Sequence, residues 1–421
     1  MNNRLRIALF TYATKPRGSV VHTLELAEAL HHLGHKVCIY ALDKQDAAQA
    51  TADVQEKRGF DRPYSCSVQL IPAQPVTGDI DRLIQQRIQE FVRFFSGSIE
   101  PNQPLSYDCY HAQDCISANA LLQLRQQGQI PHFVRTVHHI DAFNSPYLQA
   151  CQEKSIAEPD LCLCVSAHWQ TQLRQQYNIE APRVINGVDR DRFVQPDALN
   201  PSATVLDLKQ RLNLSGSPIY LTVGGIEPRK NSIALLQAFA QALTDFPQAQ
   251  LVIAGGATLF DYQDYRHQFF AEVDRLGVSN SLVLPGVIAE ADLPLLYHAA
   301  DAFVFPSLKE GWGLVVLEAI ASGLPVITAR QPPFTEFLSD QQALLVDPQN
   351  VEAIAQAMRQ VMQPALAKSL IAESQTLCNI YTWENSARMH VNAYRQLMKD
   401  SSSLKSQISP KPPIQNPKAK V

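Results

Sequence analysis

The segment from Ala302 to Ile327, AFVFPSLKEGWGLVVLEAIASGLPVI, decides how the whole chain is read. AFVF has the composition of a short buried strand, KEGWG is a polar loop, LVVLEAIA has helical spacing, and Gly323 with Pro325 ends it before a second apolar run. Strand, helix and strand in that order is the unit from which parallel sheets are built. Within it Glu310 falls on the loop and Glu318 inside the apolar helix. A buried carboxylate is costly unless it is paired or hydrogen-bonded, so both need partners from elsewhere in the chain.

The same alternation extends outward from this unit. IYLTVGG, QLVIAGG and SLVLPG precede it, separated by helical segments, and further upstream RIALFTY, LELAEALHHLG, KVCIYAL, HFVRTVHH and LCLCVS repeat the pattern. The rhythm restarts after the polar stretch QPDALNPSAT, which puts a boundary near residues 195–215. The expectation is an α/β protein of two Rossmann-like domains facing a cleft, residues 1–200 and 201–380. A helical segment at 381–399 is expected to pack back on the first domain, and the Ser-, Pro- and Lys-rich stretch 400–421 to be disordered.

At 421 residues the chain can build two cores. A formal net charge of -4 with 18% charged residues provides no general attraction to nucleic acid. The eight cysteines mostly sit in apolar runs and form no C-x-x-C pair, which points to a reducing, cytoplasmic setting. MNNRLRIALF reads as a first strand rather than a leader, and no run reaches the length of a membrane span. DRLIQQRIQEFVRFF, residues 81–95, reads as a core-facing helix in preference to a membrane-surface one.

Chemistry is expected in the loops at the carboxyl ends of the strands. Gly311 and Gly313 leave backbone N–H groups uncovered before Leu314, at a helix N-terminus suited to an anion, and the flanking glutamates can accept from hydroxyl pairs. YLTVGGIEPRKN places Gly224, Gly225, Arg229 and Lys230 in a corresponding strand-end loop, where two cations suit a pyrophosphate. Each element has a plainer reading: the glutamates as a helix-dipole partner and a solvated helix residue, EPRKN as a charged turn.

Taken together these residues resemble the donor site of retaining glycosyltransferases of family 4, which have the GT-B fold. Glu310 and Glu318 match the family's E-x7-E motif, and INGVDRDRF, with Asn186, Gly187, Val188 and Asp189, matches its N-G-V-D element. The resemblance implies that Glu310 meets donor-sugar hydroxyls, that Glu318 meets the ribose, and that Arg229, Lys230 and the amides near Gly313 and Leu314 hold the diphosphate. It matches Gly18 to a phosphate-facing loop and His138, in RTVHHID, to a histidine beside the reacting sugar. The first domain would then serve the acceptor and the second the donor, a nucleotide sugar. The acceptor, whether glycan, lipid or small molecule, is left open, and a lipid acceptor would bring the protein to a membrane surface.

The chain departs from the family pattern at three places: Gly225 stands where the family often has arginine, Gly18 lies between Arg17 and Ser19 rather than beside a second glycine, and His138 is followed by His139. His111 and Asp114, in YHAQD, are candidates for the acceptor side together with His139. Asp79-x-Asp81 and Asp189-x-Asp191 are read as chance spacings rather than metal ligands. The expectation is a cytoplasmic retaining glycosyltransferase that needs no metal or other cofactor and has no nucleic-acid partner. A nucleotide-sugar epimerase of the same architecture and a non-catalytic nucleotide-sugar-binding protein are the rivals.

Overall fold

The computed structural model describes residues 4–15, 17–44, 64–97, 107–194, 203–256 and 262–407. The first half builds one parallel sheet from β1 (Arg6–Thr11), β2 (Lys36–Lys44), β3 (Ser67–Ala73), β4 (Cys109–Ala112), β5 (Val134–Val137) and β6 (Leu161–Cys164), in the order β3-β2-β1-β4-β5-β6. The second builds another from β7 (Ile219–Val223), β8 (Gln250–Ala254), β9 (Leu282–Gly286), β10 (Ala302–Phe305), β11 (Val326–Ala329) and β12 (Leu344–Val346), in the order β12-β11-β10-β7-β8-β9. This is the two-domain Rossmann-like architecture that the alternation predicts.

Strand β10 shows how the pattern works. Phe303 and Phe305 pack on one face with Val316, Leu317 and Ile320 of the helix Leu314–Ala321, while Ala302 and Val304 pack on the other with Leu235, Leu236 and Phe239 of the helix Ser232–Ala242. Both faces of a parallel strand are buried, so it reads as a continuous apolar run. Because β7 pairs with β10, the direction of winding reverses between them. The loops after these two strands therefore share a switch point, the place where open α/β sheets bind ligands.

The chain returns to the first domain through a helix, Trp383–Gln407. Trp383, Ala387, Val391 and Tyr394 form one stripe that packs with Val20, Leu24 and Ala27 of the helix Gly18–His32. The return helix continues past Asp400, into the stretch expected to be disordered. Once started, a helix gains one hydrogen bond per added residue, and the first proline is Pro410. Residues 408–421 lie outside the described residues. In the helix Ile80–Gly97, Ile84, Ile88, Phe91, Val92 and Phe95 are buried in the first-domain core, the core-facing role expected of it. No helix among the described residues is long and apolar enough to cross a membrane.

Candidate active site

The loop after β7 makes one 3-10 turn, Pro228–Lys230, rather than entering a helix directly. Asn231 follows in the left-handed region, and its amide donates to the carbonyls of Pro306 (3.2 Å) and Pro348 (2.6 Å), which pins the turn beside the loop after β10. Three donors converge there on one oxygen of Glu310. Lys230 Nζ lies 2.5 Å from Glu310 Oε1, Ser307 Oγ 2.8 Å and Arg229 Nη1 3.3 Å. Oε2 has no partner among the described residues. Arg229 also pairs through Nε with Glu227, at 2.8 Å, and Lys230 Nζ sits 4.5 Å above the ring of Phe305. Burial works against a charged carboxylate, but Lys230 and Arg229 hold the Glu310 carboxyl below its ordinary range.

Gly313 caps the helix Leu314–Ala321 with φ 102°, and a Cβ there would stand 2.6 Å from the Phe334 ring. Only glycine meets both conditions, and with no side-chain cap the first N–H groups of the helix remain uncovered. Gly311 lies with its Cα against the carbonyl of His138, so the first domain reaches the loop that carries Glu310. Lys309 Nζ donates to the Ile140 carbonyl (2.8 Å) and Trp169 Nε1 to the Glu310 carbonyl (3.3 Å) across the same seam. Glu336 accepts from the N–H groups of Ala167 and His168, at 2.7 and 2.8 Å, and ties the two domains a second time.

Glu318 occupies a different environment. It faces the seam between the domains in a cavity of about 10 Å³ shared with Glu25, Gly187, Arg192, Leu314 and Trp383. Tyr297 donates to its Oε2 at 2.8 Å. Burial raises its carboxyl to about 7, against the Tyr297 bond and the Arg192 cation, with Glu290 and Glu25 adding to the rise. Arg192 itself is paired with Glu290 at 2.5 Å.

The structure separates the histidines. His138 is buried, edge-on to His22 at 4.7 Å, with Nε2 3.0 Å from Gln113 Oε1, whereas His139 is half-exposed and sits 2.9 Å from Asp141. His138 is thus the one enclosed at the Gly311 contact. His111 and Asp114, the acceptor-side candidates, both make hydrogen bonds within the first domain. His111 is buried with Nδ1 on Tyr394 (2.7 Å) and Nε2 on Thr136 (2.8 Å), and both its nitrogens are used within the fold. Asp114 caps the helix Cys115–Gln126 through the Ser117 N–H and accepts from the Tyr12 N–H, at 2.8 and 2.7 Å.

Gly18 begins the helix Gly18–His32, where a Cβ would meet open space. Gly224 passes the Lys230 stem, and a Cβ at Gly225 would stand 2.5 Å from the Gly256 carbonyl, so this backbone has no room for the arginine common there in the family. In the Asp-x-Asp pairs, Asp189 and Asp79 accept from N–H groups of Arg192 and Arg82, and Asp81 from the Ser145 hydroxyl. Among the described residues no group of three His, Cys, Asp or Glu side chains could hold a metal ion. Ser307, Glu227, Tyr297 and Gln113 are site residues that sequence reasoning missed. None belongs to a spacing pattern, and only proximity in the fold reveals them.

Two family models match most of the described chain. A model of the family "Glycosyl transferases group 1" matches residues 206–375, and one of "Glycosyltransferase Family 4" matches residues 16–192. The chain belongs to the GT-B glycosyltransferases of family 4. It is 28% identical to the O-antigen chain mannosyltransferase B of Escherichia coli over 63% of this chain and 70% of that one. It is 25% identical to the D-inositol 3-phosphate glycosyltransferase of Corynebacterium urealyticum over 93% and 96%. Among solved structures, Anabaena HepE in complex with UDP-glucose superposes with a TM-score of 0.70 at 19% identity, over 95% of this chain and all of that one. This family 4 chain is therefore a glycosyltransferase enzyme, and the epimerase and non-catalytic readings are set aside.

Proposed function

We propose that this glycosyltransferase moves a sugar from a nucleoside diphosphate to an acceptor hydroxyl with retention of configuration. The observation that carries the reading is the Glu310 carboxylate at the switch point, with Oε1 held by Lys230, Arg229 and Ser307 and Oε2 without a partner among the described residues. Oε2 would accept from donor-sugar hydroxyls. The two cations and the uncovered N–H groups ahead of Leu314 would hold the diphosphate. The UDP-glucose bound to the HepE neighbour supports a nucleotide-sugar donor.

In the reaction the bond from the anomeric carbon to the diphosphate oxygen breaks, and a bond from that carbon to the acceptor oxygen forms on the same face. The diphosphate leaves with the electron pair, and one of its oxygens takes the acceptor proton. Lys230 and Arg229 stabilise the negative charge that develops on the leaving group, a role that supplies positive charge without a metal ion. Glu318 would accept from the ribose once the seam around it opens. We place the enzyme in the cytoplasm, a reading supported by its eight free thiols.

Thermal melting with UDP, GDP, ADP and their sugar conjugates in EDTA is the test. A nucleotide at 100 times its dissociation constant stabilises the native state by about 2.7 kcal/mol. Selective stabilisation by one base, followed by NMR assignment of the product anomer, is expected to show retained configuration. Stabilisation that requires a divalent cation, or an inverted anomer, would overturn the corresponding part of the proposal.

A further inference from the structure

His138 is held from behind by a chain of buried polar groups reaching to the return helix. Tyr394, on that helix, and Thr136 occupy the two nitrogens of His111 at 2.7 and 2.8 Å. Gln113 Nε2 lies 3.3 Å from both nitrogens of the same ring, a position over the ring face rather than in its plane. An amide N–H, not an amide carbonyl, is attracted to the face of a neutral ring. That contact fixes the amide: its nitrogen points to His111 and its oxygen to His138, 3.0 Å away.

A carbonyl oxygen can only accept, so His138 Nε2 must carry the proton. Its Nδ1 has no hydrogen-bond partner among the described residues, and the backbone of the same residue lies against Gly311, beside Glu310. We infer that Gln113 is a positioning residue that holds His138 as the Nε2–H tautomer, so that unprotonated Nδ1 is offered to the substrate as an acceptor for a sugar hydroxyl. The inference rests on the proposed function for the identity of the substrate, while the tautomer itself does not.

The surroundings favour the neutral ring. Burial keeps His138 well below the ordinary histidine range, assisted by His22 from the helix Gly18–His32, Arg135 from β5, His139 beside it and His111 from β4. A site that accepts from a hydroxyl discriminates against sugars lacking that hydroxyl, because the ring nitrogen is then left unpaired. Gln113 would thus contribute to donor selection without touching the sugar.

The first experiment needs no substrate. Nitrogen-15 NMR of the imidazoles, in the full chain labelled at its 12 histidines and assigned with His138→Asn, reports the tautomer directly. The wild-type protein is expected to show His138 as Nε2–H from pH 6 to 8. Gln113→Met should give a mixture, and Gln113→Glu, which keeps the acceptor but adds charge, an imidazolium at pH 6. Nδ1–H in the wild-type protein, or an unchanged tautomer in Gln113→Met, would overturn the inference.

The second experiment measures nucleoside diphosphate release from UDP-glucose and GDP-mannose. Gln113→Met should lower kcat roughly ten- to a hundredfold at unchanged nucleotide affinity. Gln113→Glu should retain activity at pH 8 and lose more of it toward pH 6 than the wild-type protein does. Equal kcat in Gln113→Met overturns the substrate role of Nδ1. Failure of the wild-type protein to bind any nucleotide would instead overturn the proposed function and leave the tautomer result standing.

Discussion

Glu310 and Glu318 belong to one motif, yet the fold places them in different electrostatic surroundings. Glu310 meets two cations and a hydroxyl from its own domain and is held ionised. Glu318 meets a tyrosine hydroxyl and feels two further carboxylates, Glu290 from its own domain and Glu25 across the seam, with Arg192 paired to Glu290, and its carboxyl rises to about 7. A motif specifies where carboxylates stand, while the neighbours decide whether they carry charge. An anion already neutralised by lysine and arginine suits a permanent role beside a diphosphate. A carboxyl poised near neutrality suits one that meets a partner only when the seam opens.

The sharpest way to break this comparison is to remove each half of the Glu310 pair. Glu310→Gln and Lys230→Met should each lower turnover by roughly 10²–10³, and each should cost about 3–5 kcal/mol of stability by leaving a buried charge unpaired. In the double variant stability should partly return while turnover does not, and calorimetry beside nucleotide release would read both. Singles whose stability losses simply add would show that the pair is not coupled.

The second effect has the opposite sign for Glu318. Its folded pKa of about 7 exceeds the ordinary value of 4.5, so between these values the native state binds a proton that the unfolded chain has lost. Stability should therefore fall as pH rises from 4.5 to about 7, by on the order of 3 kcal/mol from this group alone. Glu318→Gln, which has no proton to lose, should be more stable than the wild-type protein at pH 8 and similar at pH 4.5. Parallel melting curves across this range would place Glu318 among ordinary carboxylates.

The smallest expected effect sharpens the cause. Tyr297→Phe removes the hydroxyl that favours ionised Glu318, so the titration should move to higher pH while stability changes by about 1 kcal/mol. A downward move would mean that Tyr297 does not act through this bond.

Much of the architecture was legible in the chain because strand and helix spacings are local. The alternation of AFVFPS, LVVLEAIA and LPVITA identifies the unit without reference to anything distant, and the E-x7-E spacing puts both glutamates on it. The sequence could not separate YHAQD from RTVHHID. Both carry a histidine at a strand end, but His111 is enclosed by Tyr394 and Thr136 while the backbone of His138 lies against Gly311 of the second domain. Asp114 looked equally available until its capping bonds were visible. Gly225 read as a lost arginine, and the structure gives the loss a steric reason in the Gly256 carbonyl.

By itself, then, the sequence determined the order of elements, the restart of the second domain and the loops on which chemistry would lie, because these depend on neighbours a few residues away. Tertiary structure alone decided which groups meet: Lys230 reaches Glu310 across 80 positions, and His111 reaches Tyr394 across 283. Charge state, ring tautomer and the choice between two adjacent histidines all follow from such meetings. Electrostatic energy depends on distance in space and on exclusion of water, neither of which can be read along a chain.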